Sequence, residues 1–222
     1  MLAVFVSTTQ NHWDRPSVAQ VERQILESQR WIMSQASRYG CHDIAFFNAT
    51  LGGCYDGYTT WLYHHPTFSD TIERKIGFIN EALTVNRLAP LYQLAENECL
   101  RNNCTQFHVL VFSKSAGHCH AYSPWLVNNR PFDIAFLYDR YKGITLHLGT
   151  ICHEMIHLFG GADLYRRSGF PIQKEDYVRR YFPDSIMLED KVDTLSSKQI
   201  DPYNAWLMGI APKQADFDWL YY

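Results

Sequence analysis

The chain has 222 residues, of which 46% are apolar and 15% aromatic, and its formal net charge at pH 7 is -3. This is enough apolar material for one sizeable domain, and the composition carries no signature of disorder. The nearly balanced charge, with no basic tract, argues against nucleic acid as a partner. No segment is long and apolar enough to span a membrane, so we expect no membrane partner.

The N-terminal segment and the cysteines bear on where the protein acts. Residues 1–9 lack a charged start, and their apolar run is too short for a signal peptide. We therefore expect a cytoplasmic protein as synthesised, with export by a signal-independent route as the alternative. The six cysteines show no zinc-finger spacing, so we expect most of them to be reduced. An oxidising compartment leaves open a local bridge between Cys99 and Cys104.

Strand and helix signals alternate along the first 160 residues. Short apolar runs predict strands at residues 2–7, 43–47, 107–112 and 132–138. Apolar residues at helical spacing predict helices from residue 16 to about 40, from 70 to 83, from 90 to about 100, and at 145–159. Loops are expected at residues 54–67 and 114–129, and again after residue 161 until a last helix at 196–208.

This alternation predicts a mixed α/β fold of the α+β type. We expect a single domain over residues 1–222, with an upper lobe to about residue 160 and a lower lobe from about 161.

The most informative segment is His153-Glu154-Met155-Ile156-His157, inside the predicted helix 145–159. Two histidines four residues apart stand on one face of a helix, within reach of one metal ion. A catalytic zinc ion takes three protein ligands and a water. Glu154 is placed to accept a proton from that water and to deliver it to the leaving amine. His153 and His157 are therefore predicted zinc ligands, and Glu154 is the predicted general base.

Asp163 is the predicted third ligand. Gly160 and Gly161 can adopt backbone conformations closed to other residues, which lets the chain leave the helix and return to the metal. The alternative is that Asp163 orients a ligand imidazole without binding the ion itself. The spacing favours direct ligation.

The spacing His-Glu-x-x-His-x-x-Gly-x-x-Asp, from His153 to Asp163, resembles the extended signature of the metzincin zinc metallopeptidases. It is similar to the variant of small snapalysin-type proteases, in which Asp replaces the usual third His. The segment Asp184-Ser-Ile-Met187 is similar to the family's Met-turn, which places a methionine beneath the metal. The resemblance implies a zincin fold with a twisted mixed sheet, a backing helix, an active-site helix and a smaller C-terminal lobe. It also implies hydrolysis of peptide bonds.

The sequence departs from the family in one respect that concerns chemistry. Several metzincin groups carry a tyrosine two residues after the Met-turn methionine, where this chain has Glu189. Tyr165 is a candidate to assist the oxyanion instead.

Other histidines and cysteines have simpler interpretations. His118 and His120 flank a cysteine in a predicted loop, where adjacent residues chelate one ion poorly, so a structural or substrate-lining role is favoured. His64-His65 is interpreted in the same way. His147 does not share the face of His153, and Cys152 is expected to be a small buried apolar residue.

These features predict a monomeric zinc metallopeptidase that acts on a peptide or protein substrate. One alternative keeps the zinc and changes the bond, giving an amidase or other hydrolase with a non-peptide substrate. A second alternative is a binding protein whose zinc site no longer turns over. The presence of Glu154 argues against the second, because a structural zinc site needs no base and prefers a fourth protein ligand.

Overall fold

A computed structural model describes most of the chain. The described residues are 1–8, 13–48, 59–61, 71–85, 87–104, 106–122, 132–141, 144–166, 171–215 and 217–221. They form two compact units, which are described separately. Unit 1 contains Met1–Glu22 and Phe46–Leu146, and unit 2 contains Arg23–Ala45 and His147–Tyr222.

Unit 1 is built on a mixed sheet. Its strands are β1 (Leu2–Thr8), β2 (Thr59–Trp61), β3 (His108–Ala116), β4 (His120–Tyr122), β5 (Asp133–Tyr141) and β6 (Ile144–Thr145). The strand order is β2-β1-β3-β5-β4, with β6 pairing beside β5. Strands β2, β1, β3 and β5 run parallel, whereas β4 and β6 are antiparallel to β5. The mixed α/β class predicted from the sequence is therefore confirmed.

The centre of this sheet is apolar because its middle strands are buried on both faces. The first six residues of β3 are all buried, as is typical of an internal parallel strand. Helices α2 (Ile72–Val85) and α3 (Leu91–Asn102) pack on one face. The side chains that form this core are Leu2, Val4, Val6, Ile79, Leu83, Leu91, Val109, Val111, Ile134 and Phe136.

In the described part of unit 2 the regular secondary structure is helical, apart from one bridge between Ser185 and Gln199. It contains the second half of the long helix α1 (Arg15–Arg38) and four shorter helices. These are α4 (Leu148–Leu158), α5 (Ile172–Tyr181), α6 (Pro202–Leu207) and α7 (Phe217–Tyr221). Trp31 of α1 and Tyr39, which follows the helix, donate hydrogen bonds to the 195–200 segment. Trp31 Nε1 donates to the Leu195 carbonyl, and the Tyr39 hydroxyl donates to the Ile200 carbonyl.

The predicted strand at residues 43–47 was wrong. The segment is irregular, and the side chain of Phe47 is 55% exposed. A short apolar run forms a strand only where a sheet edge accepts it, and β1 instead pairs with β2 and β3.

Three further differences from the predicted elements come from local signals. Helix α6 begins at Pro202 rather than at residue 196, because Asp201 caps it and proline suits its first turn. Helix α5 lies where a loop was expected. Its buried residues are Lys174 and Val178, and one buried apolar residue does not make a helical pattern that the sequence could reveal. Strand β4 interrupts the predicted loop at 114–129, of which residues 123–129 lie outside the described chain.

The predicted loop at 54–67, with His64-His65, also lies outside the described residues except for β2. None of the helices in the described part of the chain combines the length and the apolar character needed to cross a bilayer.

Candidate metal centre

Helix α4 carries the His-Glu-x-x-His segment into the interior of unit 2. Every residue of α4 except Thr150 and His157 is buried. Its apolar residues therefore anchor the helix, and the polar side chains of His153 and Glu154 are buried with them, at 2% and 4% exposure. Buried polar groups of this kind require compensating partners.

The end of α4 turns the chain back toward those histidines. Gly160 has a left-handed φ of 91°, its N–H donates to the His157 carbonyl, and the Gly161 N–H donates to the Ile156 carbonyl. This is the Schellman pattern of helix termination. A Cβ on Gly161 would lie 2.4 Å from the Ile156 side chain, so the close approach requires glycine there.

This turn brings the three predicted ligands together. Asp163 Oδ1 lies 3.0 Å from His153 Nε2 and 3.2 Å from His157 Nε2, and the two Nε2 atoms are 3.1 Å apart. Ligand atoms bound to zinc at tetrahedral angles lie about 3.3 Å from one another. In the described residues this is the one group of three or more potential ligands that converges in this way. The three atoms thus occupy one face of a tetrahedron of nearly the size that zinc requires.

Backbone carbonyls fix the orientation of both imidazoles. His153 Nδ1 lies 3.1 Å from the carbonyl oxygen of Ile186, and His157 Nδ1 lies 2.8 Å from that of Gly161. A carbonyl can only accept, so each Nδ1 carries the proton and donates it. In the neutral ring the lone pair is then on Nε2, directed at the shared point. Metal-binding histidines are commonly oriented in this manner.

The electrostatics of the group favour a positive charge at that point. Two Nε2 lone pairs and a carboxylate oxygen repel one another at these distances. Burial alone would lower the pKa of His153, but Asp163, together with the charge of Asp190 and the Ile186 carbonyl, outweighs burial and raises it. Burial alone would raise the pKa of Asp163, but the two adjoining imidazoles lower it far below its ordinary range. In the metal-free protein, protons therefore supply the positive charge that a cation would otherwise provide.

Glu154 adds a buried carboxylate beside this group. Burial raises its pKa to about 8, while the charge of His157 opposes the shift. Within the described chain, Glu154 Oε2 and Asp163 Oδ1 are both buried without an aligned hydrogen-bond partner. Two orphaned acceptors of this kind fit a divalent cation, which would be coordinated by one and would lower the pKa of the other.

The turn that contains Met187 is hydrogen-bonded to the His153 side chain and to the backbone next to Asp163. The Met187 side chain is fully buried, and its carbonyl accepts a hydrogen bond from Leu164 N, next to Asp163. The neighbouring Ile186 supplies the carbonyl that orients His153. Sequence analysis missed the Ile186 and Gly161 carbonyls, because a backbone acceptor leaves no mark on residue type.

Tyr165 lies at the edge of the same group. Its ring stacks on the His153 ring at 6.2 Å between centroids, and its hydroxyl hydrogen-bonds with Asp163. Burial raises the pKa of this hydroxyl, and the charge of Asp163 raises it further.

The remaining candidates are engaged elsewhere. His118 and His120 each place Nδ1 against a backbone carbonyl, and His120 Nε2 lies 2.8 Å from the Lys75 ammonium. His147 Nδ1 lies 2.6 Å from Asp193 Oδ1. Burial strongly raises the pKa of the Cys152 thiol, which keeps it protonated and unsuited to a metal.

Comparison of the chain with protein-family models, with curated proteins and with solved structures gave no match in any of the three.

Proposed function

We propose that this chain is a zinc-dependent metallopeptidase in which His153, His157 and Asp163 bind the ion and Glu154 is the general base. The observation that carries the proposal is the convergence of three acceptor atoms at 3.0–3.2 Å beside the orphaned Glu154 Oε2. We further propose a zincin fold of metzincin type, supported by the Met187 turn that is hydrogen-bonded to His153 and to the backbone next to Asp163.

The donor set favours zinc among the divalent ions. Two imidazoles and one carboxylate form a three-ligand set of the kind used by catalytic zinc, which keeps a fourth position for solvent. Magnesium and calcium prefer six or more oxygen ligands, which this group of side chains does not offer. A zinc ion held here supplies Lewis acidity, which activates water and polarises a substrate carbonyl.

The protein's own contribution to catalysis is the handling of protons. The backbone carbonyls that hold His153 Nδ1 and His157 Nδ1 keep both rings in the tautomer that exposes Nε2. Glu154 accepts the proton of the attacking water at its carboxylate and delivers it to the leaving amine. In the metal-free protein burial raises the pKa of Glu154 to about 8. A cation bound beside it would lower that pKa, so that the carboxylate would be ionised and able to accept the proton.

The choice of a peptide bond as substrate rests on the spacing from His153 to Asp163, which resembles the metzincin signature. Zinc-activated water also attacks other polarisable carbonyls. A substrate test therefore has to include small amides as well as peptides.

The proposal is tested by comparing the wild-type protein with Glu154→Gln, which keeps the shape of the side chain. Elemental analysis should find a single zinc ion in both proteins. Peptide-library cleavage should fall about 10²- to 10⁴-fold in the variant, because the proton acceptor is lost. Glu27→Gln, at an exposed position of α1, is the matched control and should retain full activity.

Three results would contradict the proposal, in whole or in part. Wild-type protein that binds no zinc under any loading condition would exclude the metal centre. Equal cleavage rates for Glu154→Gln and wild type would exclude Glu154 as the base. Cleavage of small amides without cleavage of any peptide would keep the zinc chemistry and exclude the peptidase.

A further inference from the structure

We propose that Asp201 is a positioning residue of the metal centre, acting through Ser185 and Asn204 on the chain segments that carry the ligands. The inference rests on the proposed zinc site. It assigns to one buried carboxylate the task of holding together the Met187 turn and the segment around Asp163.

Asp201, Ser185 and Asn204 form a network with no solvent exposure. Asp201 Oδ2 accepts hydrogen bonds from the Ser185 hydroxyl at 2.6 Å and from Asn204 Nδ2 at 3.0 Å. Asp201 Oδ1 accepts from the Asn204 backbone N–H at 2.9 Å. Burial raises the pKa of Asp201, and the hydrogen bonds from Ser185 and Asn204 oppose that shift. Removing the carboxylate leaves these buried donors without their partner.

The helix cap explains only part of this arrangement. Capping of α6 requires one side-chain acceptor for a backbone N–H, and Asp201 Oδ1 provides it. The second oxygen binds two side chains that have no part in the cap. A serine or threonine would cap the helix equally well. A carboxylate is needed because only its second oxygen, Oδ2, can accept from Ser185 and Asn204 as well.

An ionised carboxylate can only accept hydrogen bonds, so Ser185 and Asn204 must both act as donors to Asp201. This determines which of their atoms remain available as acceptors. The Ser185 hydroxyl must point its hydrogen at Asp201, which leaves an Oγ lone pair for the Met187 N–H at 3.1 Å. Asn204 must turn its NH2 group to Asp201, which leaves Oδ1 for the Ala162 N–H at 2.7 Å. The hydrogen bonds to the Met187 and Ala162 N–H groups therefore both depend on the charge of Asp201.

These two hydrogen bonds reach the chain segments that carry the proposed ligands. Ala162 directly precedes Asp163, and Leu164, which follows it, donates its N–H to the Met187 carbonyl. The same turn contributes the Ile186 carbonyl that holds His153 Nδ1. The His153 imidazole and the backbone on either side of Asp163 are thus linked to Asp201 through a chain of hydrogen bonds. The expected role is to maintain the ligand spacing, since distant hydrogen-bond partners of ligands are known to tune metal affinity.

Asp201→Asn is the sharpest test of this role. It keeps the size of the side chain and its ability to cap α6, but puts an NH2 group where Oδ2 accepted two bonds. We expect the zinc dissociation constant, measured by competition with a chromogenic chelator, to rise about tenfold. The visible spectrum of the cobalt-loaded protein, which reports ligand geometry, should change as well.

Two further variants separate positioning from general loss of stability. Ser185→Ala breaks the link to Met187 alone and should weaken zinc binding by a smaller factor. Lys174→Met removes another buried hydrogen bond of unit 2, from Lys174 Nζ to the Leu220 carbonyl. It should lower the melting temperature while leaving zinc affinity and the cobalt spectrum unchanged.

The outcomes are distinct. Wild-type zinc affinity and an unchanged cobalt spectrum in both Asp201→Asn and Ser185→Ala would overturn the inference and leave the zinc site intact. If Asp201→Asn does not fold, Ser185→Ala decides by the same criterion. Loss of affinity in Lys174→Met to the same extent would also overturn it, since the effect would then follow stability. A wild-type protein that binds no zinc would remove the proposed function itself.

Discussion

The α4 cluster of His153, His157 and Asp163 and the β4 cluster of Lys75 and His120 both hold imidazoles by Nδ1 against backbone carbonyls. They differ in what faces the other ring nitrogen. In the α4 cluster each Nε2 faces a second imidazole nitrogen and a carboxylate oxygen, which are acceptors. In the β4 cluster Nε2 faces the ammonium of Lys75, which can only donate.

This difference decides the chemistry available to each cluster. The lone pair of His120 Nε2 is used by Lys75, and burial lowers the pKa of His120 to about 4, with the charge of Lys75 acting in the same direction. The lone pair of His153 Nε2 is directed at a point that repels further acceptors and attracts a cation, and Asp163 raises the pKa of His153. By residue type alone, the segment His118-Cys119-His120 would also have been a candidate for a metal site. The partner of the second ring nitrogen distinguishes them.

The largest expected effect is a loss of zinc affinity when a histidine of the α4 cluster is replaced. His157→Ala removes a proposed ligand at a partly exposed position, where the fold is least disturbed. Zinc affinity should fall by more than about 100-fold, because losing a ligand costs more than losing one of its hydrogen-bond partners. Isothermal titration with zinc measures this loss directly.

His120→Ala is the matched variant in the other cluster. It should bind zinc with wild-type affinity, although the folded state loses a buried contact to Lys75. Equal zinc affinities for His157→Ala and His120→Ala would show that the comparison between the clusters is mistaken.

A smaller effect is expected from Asp163→Asn, which keeps the shape of the proposed third ligand and removes its charge. The amide oxygen is a weaker zinc ligand than a carboxylate, so we expect zinc affinity to fall about 10- to 100-fold. X-ray absorption at the zinc edge should detect the changed oxygen ligand. Unchanged affinity together with an unchanged zinc environment would favour the alternative in which Asp163 does not bind the ion.

Sequence reasoning succeeded where the determinants of structure are local. The four-residue spacing of His153 and His157 places them on one helix face whatever surrounds the helix. Gly160 terminates that helix by a backbone conformation that glycine favours, and Asp163 follows three residues later. The convergence of these three side chains could therefore be predicted from a segment of 11 residues.

It failed where the determinants are distant along the chain. The bonds from Ser185 to Asp201 and from Ala162 to Asn204 join residues 16 and 42 positions apart, and no periodic pattern marks them. The pair Asp201-Pro202 is typical of a helix start, but the predicted helix at 196–208 places it inside the helix rather than at its beginning. The strand predicted at 43–47 was wrong for the same reason. Its residues suit a strand, but pairing depends on a distant part of the chain, and the sheet makes no pairing there.

The smallest expected effect concerns protonation in the metal-free protein, measured from the ring protons of each histidine by NMR as pH is varied. His153 should remain protonated above the ordinary value of about 6.5, whereas His120 should stay neutral until pH approaches about 4. The stability that His153 contributes is then complete below 6.5 and is lost as pH rises through its raised pKa. The stability linked to neutral His120 is complete above 6.5 and is lost as pH falls toward 4.

Adding zinc, or replacing Asp163 by asparagine, should change the titration of His153 and leave that of His120 unchanged. Zinc should abolish the titration of His153, because the ion replaces the proton at Nε2, and should leave the midpoint of His120 unchanged. Asp163→Asn should lower the midpoint of His153 without moving that of His120, since Asp163 contributes most among the groups that raise the pKa of His153. A midpoint for His120 near 6.5, or one that moves when zinc is added, would contradict the assignment of His120 to a structural contact with Lys75. Because both clusters are followed in one sample, a general change in the fold would move both midpoints, and a change at the metal centre would move one.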